Sequence, residues 1–207
     1  MSEPALTIES TQLCEAQSIA FSWPQVIDAT LASNIVQLMR ETSASDPIIG
    51  FGTNITDAAA SKYVAELTEH VRTEKWRLLT VHKGRELIAL CTMRRNLNPN
   101  NRHIADLAKG MIAQRHRGGF VLCAALDEIA NQCNRDNVEL ITLDVRAETP
   151  AHRIWAHFGF ETYGTLSDYA RVNGESRAGH FMAQKTRDLK RRATASLRTK
   201  ALQHTDA

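Results

Sequence analysis

The chain has four cysteines in 207 residues, Cys14, Cys91, Cys123 and Cys133, and none of them forms a CxxC pair. A disulfide framework is therefore not expected, and in a chain this long the thiols read as small buried hydrophobes of a reducing compartment. Cys123 and Cys133 lie ten residues apart in one helical pattern, too far to ligate one ion, so no metal is expected. Charge of one sign is also missing. Lys and Arg number 25 against 23 Asp and Glu, and the formal net charge of +2 sets up no global field toward nucleic acid or an acidic membrane. No apolar run approaches the roughly 20 residues that cross a bilayer; the longest surrounds Phe120 to Leu126. The opening MSEPALTIES carries acids and a proline where a secretion signal needs a basic and then an apolar run, so a cytoplasmic chain without membrane association is expected. No internal repeat and no Pro/Gly/Ser-rich linker divides the sequence.

What is present is ordinary globular material, 43% hydrophobic and 23% charged, in a length that buries a sufficient core without disulfides. Short apolar groups before Trp23 (Ala5-Leu6, Ile8, Ile19 to Phe21) suit a first strand or a docked arm. Val26, Ile27, Leu31, Ile35, Leu38 and Met39 recur at helical spacing, which predicts a helix over residues 24 to 42 with Pro24 in its first turn. An apolar loop around Ile48 to Phe51 follows, and then a second helix, capped by Asn54 or Thr56 and running to about Arg72. The grammar then changes to strands. A hairpin over Arg77 to Met93 turns at Gly84, and His103 to Ala113 reads as a further strand in which Gly110 marks a bulge or a close backbone approach. A strong amphipathic helix from about Phe120, the strand VELITLDV, a short helix capped by Thr149 and stopped by Gly159, and a strand pair around Asn173-Gly174 complete the order. The expected architecture is α+β, a mixed and mostly antiparallel sheet with helices on both faces. One domain spans residues 1 to 189, and a basic tail from 190 to 207 reads as a solvated helix or a frayed terminus. That tail lacks the aromatic platforms of single-strand binders, so nucleic acid is not an expected partner.

The stretch with the clearest chemistry is DLAKGMIAQRHRGGFVLCAALDEIA. A strand enters a loop bearing Arg115, His116, Arg117, Gly118 and Gly119, and a helix begins at once. Helix-start N–H groups, glycines that let an anion approach the backbone and nearby cations together make an anion site. It is neither a P-loop, because no GK[ST] follows, nor a dinucleotide fingerprint, because the glycine spacing differs.

From residue 103 to 184 this pattern resembles the GCN5-related N-acetyltransferase (GNAT) superfamily. There, a fourth strand leads to a pyrophosphate loop of form [QR]-x-x-G-x-[GA], a helix, a fifth strand and a segment like A-x-x-x-Y-x-x-x-G-F. Here that last segment is AHRIWAHFGF, residues 151 to 160. Two helices and a hairpin come first, so the resemblance extends over nearly the whole chain to about Leu189. The loop has two registers. One starts at Gln114 and ends at Gly119; the other sets Arg117-Gly118-Gly119 as the turn. Both bring the N–H groups of residues 115 to 120 to a pyrophosphate.

The resemblance implies a sheet splayed between strands 4 and 5, with acetyl-CoA as cosubstrate. Its pantetheine would pair with the backbone of Lys109, Gly110, Met111 and Ile112, and Gln114, Arg115, Arg117, Gly118, Gly119 and Phe120 would surround its phosphates. It also implies direct attack on the thioester by the primary amine of a small molecule. Asp106 stands where an acid often serves as base, with His103, His152 and Asp144 behind it. The tyrosine that commonly protonates the thiolate is replaced by Trp155, whose indole has no proton to give at neutral pH, so Trp155 is assigned to packing or the acyl pocket. Tyr163, Tyr169 and a water are then the candidate acids, and Asp168-Tyr169 and Ile48 to Phe51 could line the acceptor site. The alternative is a CoA-binding domain without catalysis. Edge strands at the end of such a sheet would also allow a homodimer.

Overall fold

A computed structural model describes residues 19–45, 54–172 and 174–205. Ala5 to Ile8, Cys14, Ile48 to Phe51 and Asn173 lie outside these residues. In chain order the elements are β1 (Ile19–Ser22), α1 (Ala29–Ser45), α2 (Asp57–Arg72), β2 (Trp76–Lys83), β3 (Glu86–Arg95), β4 (Ile104–Ile112), α3 (Phe120–Arg135), β5 (Leu140–Arg146), α4 (Pro150–His157), β6 (Glu161–Val172), β7 (Glu175–Lys185) and α5 (Thr186–Thr205). The strands form one sheet in the order β1-β2-β3-β4-β5-β7-β6. Every neighbouring pair is antiparallel except β4 and β5. This is the mixed, mostly antiparallel α+β sheet that the alternation of patterns predicts.

Each face of the sheet is closed by its own core. On one side Ile35, Leu38 and Met39 of α1 and Tyr63 and Leu67 of α2 meet Leu78, Leu90 and Met111. On the other side Leu126, Ile129 and Cys133 of α3 meet Leu79, Met93, Leu107, Ile141 and Met182. The thiols of Cys91, Cys123 and Cys133 are unbridged and buried. Burial pushes Cys91 up to about 12, with the nearby Asp106 and Cys133 adding to the effect. A thiol so placed stays protonated and serves as packing.

Two boundaries differ from the sequence expectation. Helix α1 begins at Ala29, not Pro24, because the Asp28 carboxylate accepts the Leu31 N–H at 2.7 Å and so sets the N-terminus. Val26 is thereby left outside the helix and 75% exposed. For α2 the cap is Thr56, whose hydroxyl accepts the Ala59 N–H at 3.2 Å.

The larger difference is at the C-terminus. The boundary expected after residue 189 falls inside α5, which is docked along α3. Leu189 and Ala193 are fully buried, and Leu197 packs against the same core. Lys190 Nζ and Thr194 Oγ1 both reach the Asp127 carboxylate of α3 at 2.7 Å. Burying one leucine contributes roughly 2 kcal/mol, enough to hold a helix whose outer face is charged.

Candidate active site

The parallel ladder between β4 and β5 is short. It runs from Ile104 opposite Leu140 to Leu107 opposite Leu143 and stops there. Beyond it, β5 continues to pair with β7 as far as Arg146 opposite Gly179. Strand β4 stays with β3 as far as Ile112 opposite Ala89. The facing edges of Ala108 to Ile112 and Asp144 to Arg146 are thus left without ladder bonds, and the sheet opens as a wedge.

A bulge shapes the β4 side of the wedge. Leu90 pairs with Met111 and Thr92 with Ala108, so Lys109 and Gly110 together stand opposite Cys91. The bulge was expected at Gly110. The left-handed residue within it is its neighbour Lys109, at φ 54°. The extra residue also switches side-chain parity. Ala105 and Leu107 face the α3 core, whereas Met111 faces the core of α1 and α2. Thr92 Oγ1 donates to the Ala108 carbonyl at 2.6 Å and pins the strand just before the bulge. Further on, the Ala113 N–H is bonded to Ile88 O at 2.8 Å. By the alternation of an antiparallel pair, Met111 then faces β3 and the Ile112 peptide groups face the wedge.

At its end, β4 runs into the glycine corner. A 3₁₀ turn, Gln114–His116, uses the His116 and Arg117 N–H groups on Ala113 O and Gln114 O. The Gln114 N–H goes to the Glu41 carboxylate at 3.1 Å. Gly118 has φ +74°, a conformation that L side chains rarely adopt. Gly119 is the N-cap of α3 and has no side chain with which to cap it, so the first-turn N–H groups of α3 have no intrahelical acceptor. Of the residue 115–120 amides, those of His116 and Arg117 are thus used within the loop itself. The loop's guanidinium groups are engaged nearby. Arg115 pairs with Glu41 at 3.3 Å and with Glu86; Arg117 Nε donates to Ile112 O at 3.0 Å.

A polar group lines the α1/α2 face of the sheet where the strands part. Asp106 Oδ1 accepts from Thr142 Oγ1 at 3.2 Å, and its Oδ2 lies 3.5 Å from Arg94 Nη1. Burial holds the Asp106 carboxyl above the usual aspartate range and Asp144 pushes the same way, while Arg94 and Thr142 act against them. Asp144 accepts a hydrogen bond from Tyr169 Oη. Tyr169 reaches it because Ser167 to Tyr169 stand opposite Ala178 alone, a bulge that turns the ring inward over Gly179. A Cβ at residue 179 would overlap that ring. Burial and the hydrogen bond to Asp144 both drive the Tyr169 hydroxyl well above an ordinary tyrosine. Burial lowers the Lys109 ammonium, with help from Arg94.

The other sequence candidates lie elsewhere. Tyr163 is 65% exposed on the edge strand β6. Trp155 packs edge-on against Phe160, with centroids 5.1 Å apart, over the α3 core. His152 lies beside His180 with ring centroids 4.5 Å apart, and the exposed His103 offers its carbonyl to the Glu139 and Leu140 N–H groups. Asp168 turns to Arg171 and Ser176 in the β6–β7 hairpin. Arg94 and Thr142, the partners of Asp106, carry no motif. Only strand register brings them together.

No family model matches the sequence, and no curated protein matches it. Solved structures do match its fold. Spermidine N-acetyltransferase from Vibrio cholerae, in complex with CoA and spermine, is 16% identical, with 84% of this chain and 98% of that chain covered at a TM-score of 0.66. The acetyltransferase of the GNAT family from Streptococcus pneumoniae is 13% identical, covering 81% and 99% at 0.65. YncA from Salmonella typhimurium, solved with its cofactor acetyl-CoA, is 10% identical, covering 82% and 94% at 0.64. The chain has the fold of the GNAT acetyltransferases.

Proposed function

We propose that this GNAT-fold chain transfers an acetyl group from acetyl-CoA to the primary amine of a small molecule by direct attack. The observation that carries the reading is the wedge between β4 and β5, which ends at the glycine-opened start of α3 and has Asp106 on one wall. The neighbours solved with CoA or acetyl-CoA share this fold, and the spermine complex makes a small amine a fitting acceptor class.

In this reading the diphosphate lies on the N–H groups from Gly118 to the first turn of α3, where the helix dipole favours anions. Pantetheine enters the wedge as an added strand along Lys109 to Ile112, with Arg117 giving up the Ile112 carbonyl. The Ile112 N–H polarises the thioester carbonyl. The amine nitrogen attacks the acyl carbon, the C–S bond breaks and CoA leaves as thiolate. Asp106 takes the proton from the amine. Its raised pKa suits a base working closer to neutrality than a free aspartate. Tyr169 is the tyrosine turned toward the wedge, but its proton is committed to Asp144 and its acidity is reduced. Tyr169 with Asp144 therefore orients the acceptor ammonium, and water at the wedge mouth protonates the thiolate.

The second reading, CoA binding without turnover, is favoured by Trp155 at the position of the family's tyrosine. Calorimetry with acetyl-CoA, followed by thiol release across an amine panel, separates the two. Heat of binding with steady thiol release supports the transferase, and binding without release supports the second reading. Absence of binding overturns both.

A further inference from the structure

We infer that Lys200 of α5 is a positioning residue of the donor site proposed above, holding the Gly118–Gly119 peptide with its N–H turned toward the phosphates of the acyl carrier. The inference rests on that reading of the wedge and the glycine corner.

Lys200 Nζ donates to the Gly118 carbonyl at 2.9 Å, across 82 residues of sequence. Among the described residues no peptide is cis. In a trans peptide the C=O and the following N–H point to opposite sides, so an ammonium on Gly118 O sets the Gly119 N–H facing away from it. That peptide needs an external hold. It lies between two glycines, neither of which has a side chain to fix its plane, and a Cβ at Gly118 would meet nothing within 4 Å.

The sign of the charge also points to a ligand. A cation beside a helix N-terminus opposes the macrodipole, a placement unfavourable by itself and favourable once an anion occupies the cradle. The fold nonetheless secures Lys200 there, through the burial of Leu189 and Ala193 and the grip of Lys190 and Thr194 on Asp127. The loop's own Arg115 is meanwhile engaged with Glu41 and Glu86. An ammonium behind a carbonyl also polarises the peptide and strengthens its N–H as a donor. The ligand so favoured carries a diphosphate, which sets CoA thioesters apart from simple pantetheine thioesters.

The test compares the native protein with Lys200→Met, Lys200→Arg and, as a control, Arg198→Met, which removes the same charge from an exposed position of α5. Acetyl-CoA affinity is measured by calorimetry, and KM and kcat are measured with acetyl-CoA and with S-acetyl-pantetheine, which has no diphosphate. Lys200→Met should raise Kd and KM for acetyl-CoA about tenfold with kcat nearly constant and KM for S-acetyl-pantetheine unchanged. Lys200→Arg should recover most of the affinity, and Arg198→Met should match the native protein. Native-like acetyl-CoA binding by Lys200→Met, or an equal loss for both donors, would overturn the inference and leave the donor site standing. A native protein that binds no acetyl-CoA would overturn the donor site and this inference together.

Discussion

Asp106 and Asp144 are the same residue type on neighbouring strands, in different surroundings. Asp106 is half-buried on the sheet face, and its carboxyl is raised by that burial despite Arg94 and Thr142. Asp144 is exposed and accepts the Tyr169 hydroxyl. If Asp106 is the base, Asp106→Asn lowers kcat about 100-fold with little change in acetyl-CoA KM. The melting temperature should not fall, because the ionised form is the one that burial disfavours. The acid limb of kcat/KM should lie above the range of a free aspartate, since the base is lost as pH falls through a raised pKa. Thr142→Val removes a hydrogen bond that favours the carboxylate, so it should move that limb to still higher pH. The pH–rate profiles of the native protein and of Thr142→Val check both signs, and a fully active Asp106→Asn would end the claim.

At the scale of elements, the end of α3 shows how a strand and a helix are locked together. Arg77 of β2 meets Asp136 with Nε at 2.7 Å and Nη2 at 2.8 Å, a two-pronged contact on a carboxylate only 8% exposed. Burial alone would raise Asp136. Hydrogen bonds from Arg77 and Gln132, with the charges of Arg77 and Arg95, hold it below the usual range instead. A depressed carboxylate adds stability above its unfolded pKa, and that increment is lost as pH falls through the folded one. Arg77→Met should therefore cost about 2 kcal/mol at neutral pH and remove part of the acid dependence below about pH 4. Urea titrations at neutral and acid pH read both effects; equal midpoints for the two proteins at pH 7 would show that the pair contributes nothing.

Across the whole molecule, α5 ties the C-terminus to the core and to the glycine corner at once. Cutting the chain after Leu189 removes Ala193, Leu197 and the Asp127 contacts, although the run of Lys and Arg marks the segment as a basic tail by composition. The truncated chain should lose about 3 kcal/mol, seen as a lower urea midpoint; an unchanged midpoint would make α5 a mere appendage. The signal was present in the sequence as Leu189, Ala193 and Leu197, spaced by four, but a three-residue stripe among so many cations is weak. Gly110 and the RGG corner, by contrast, were legible because each is a local feature, a glycine within a strand or a turn before a helix. Arg94, Thr142, the inward turn of Tyr169 and the reach of Lys200 were not. Each depends on register or on a bulge.

The order of helices and strands, the two-faced sheet and the position of the glycine corner follow from local sequence, because hydrophobic period and turn chemistry act over a few neighbouring residues. What pairing in space settles is where the β4–β5 ladder stops, which carboxylate is the more buried and which lysine comes to the Gly118 carbonyl. Those outcomes turn on pairing between segments tens of residues apart, where a single extra residue in a strand redirects every side chain beyond it.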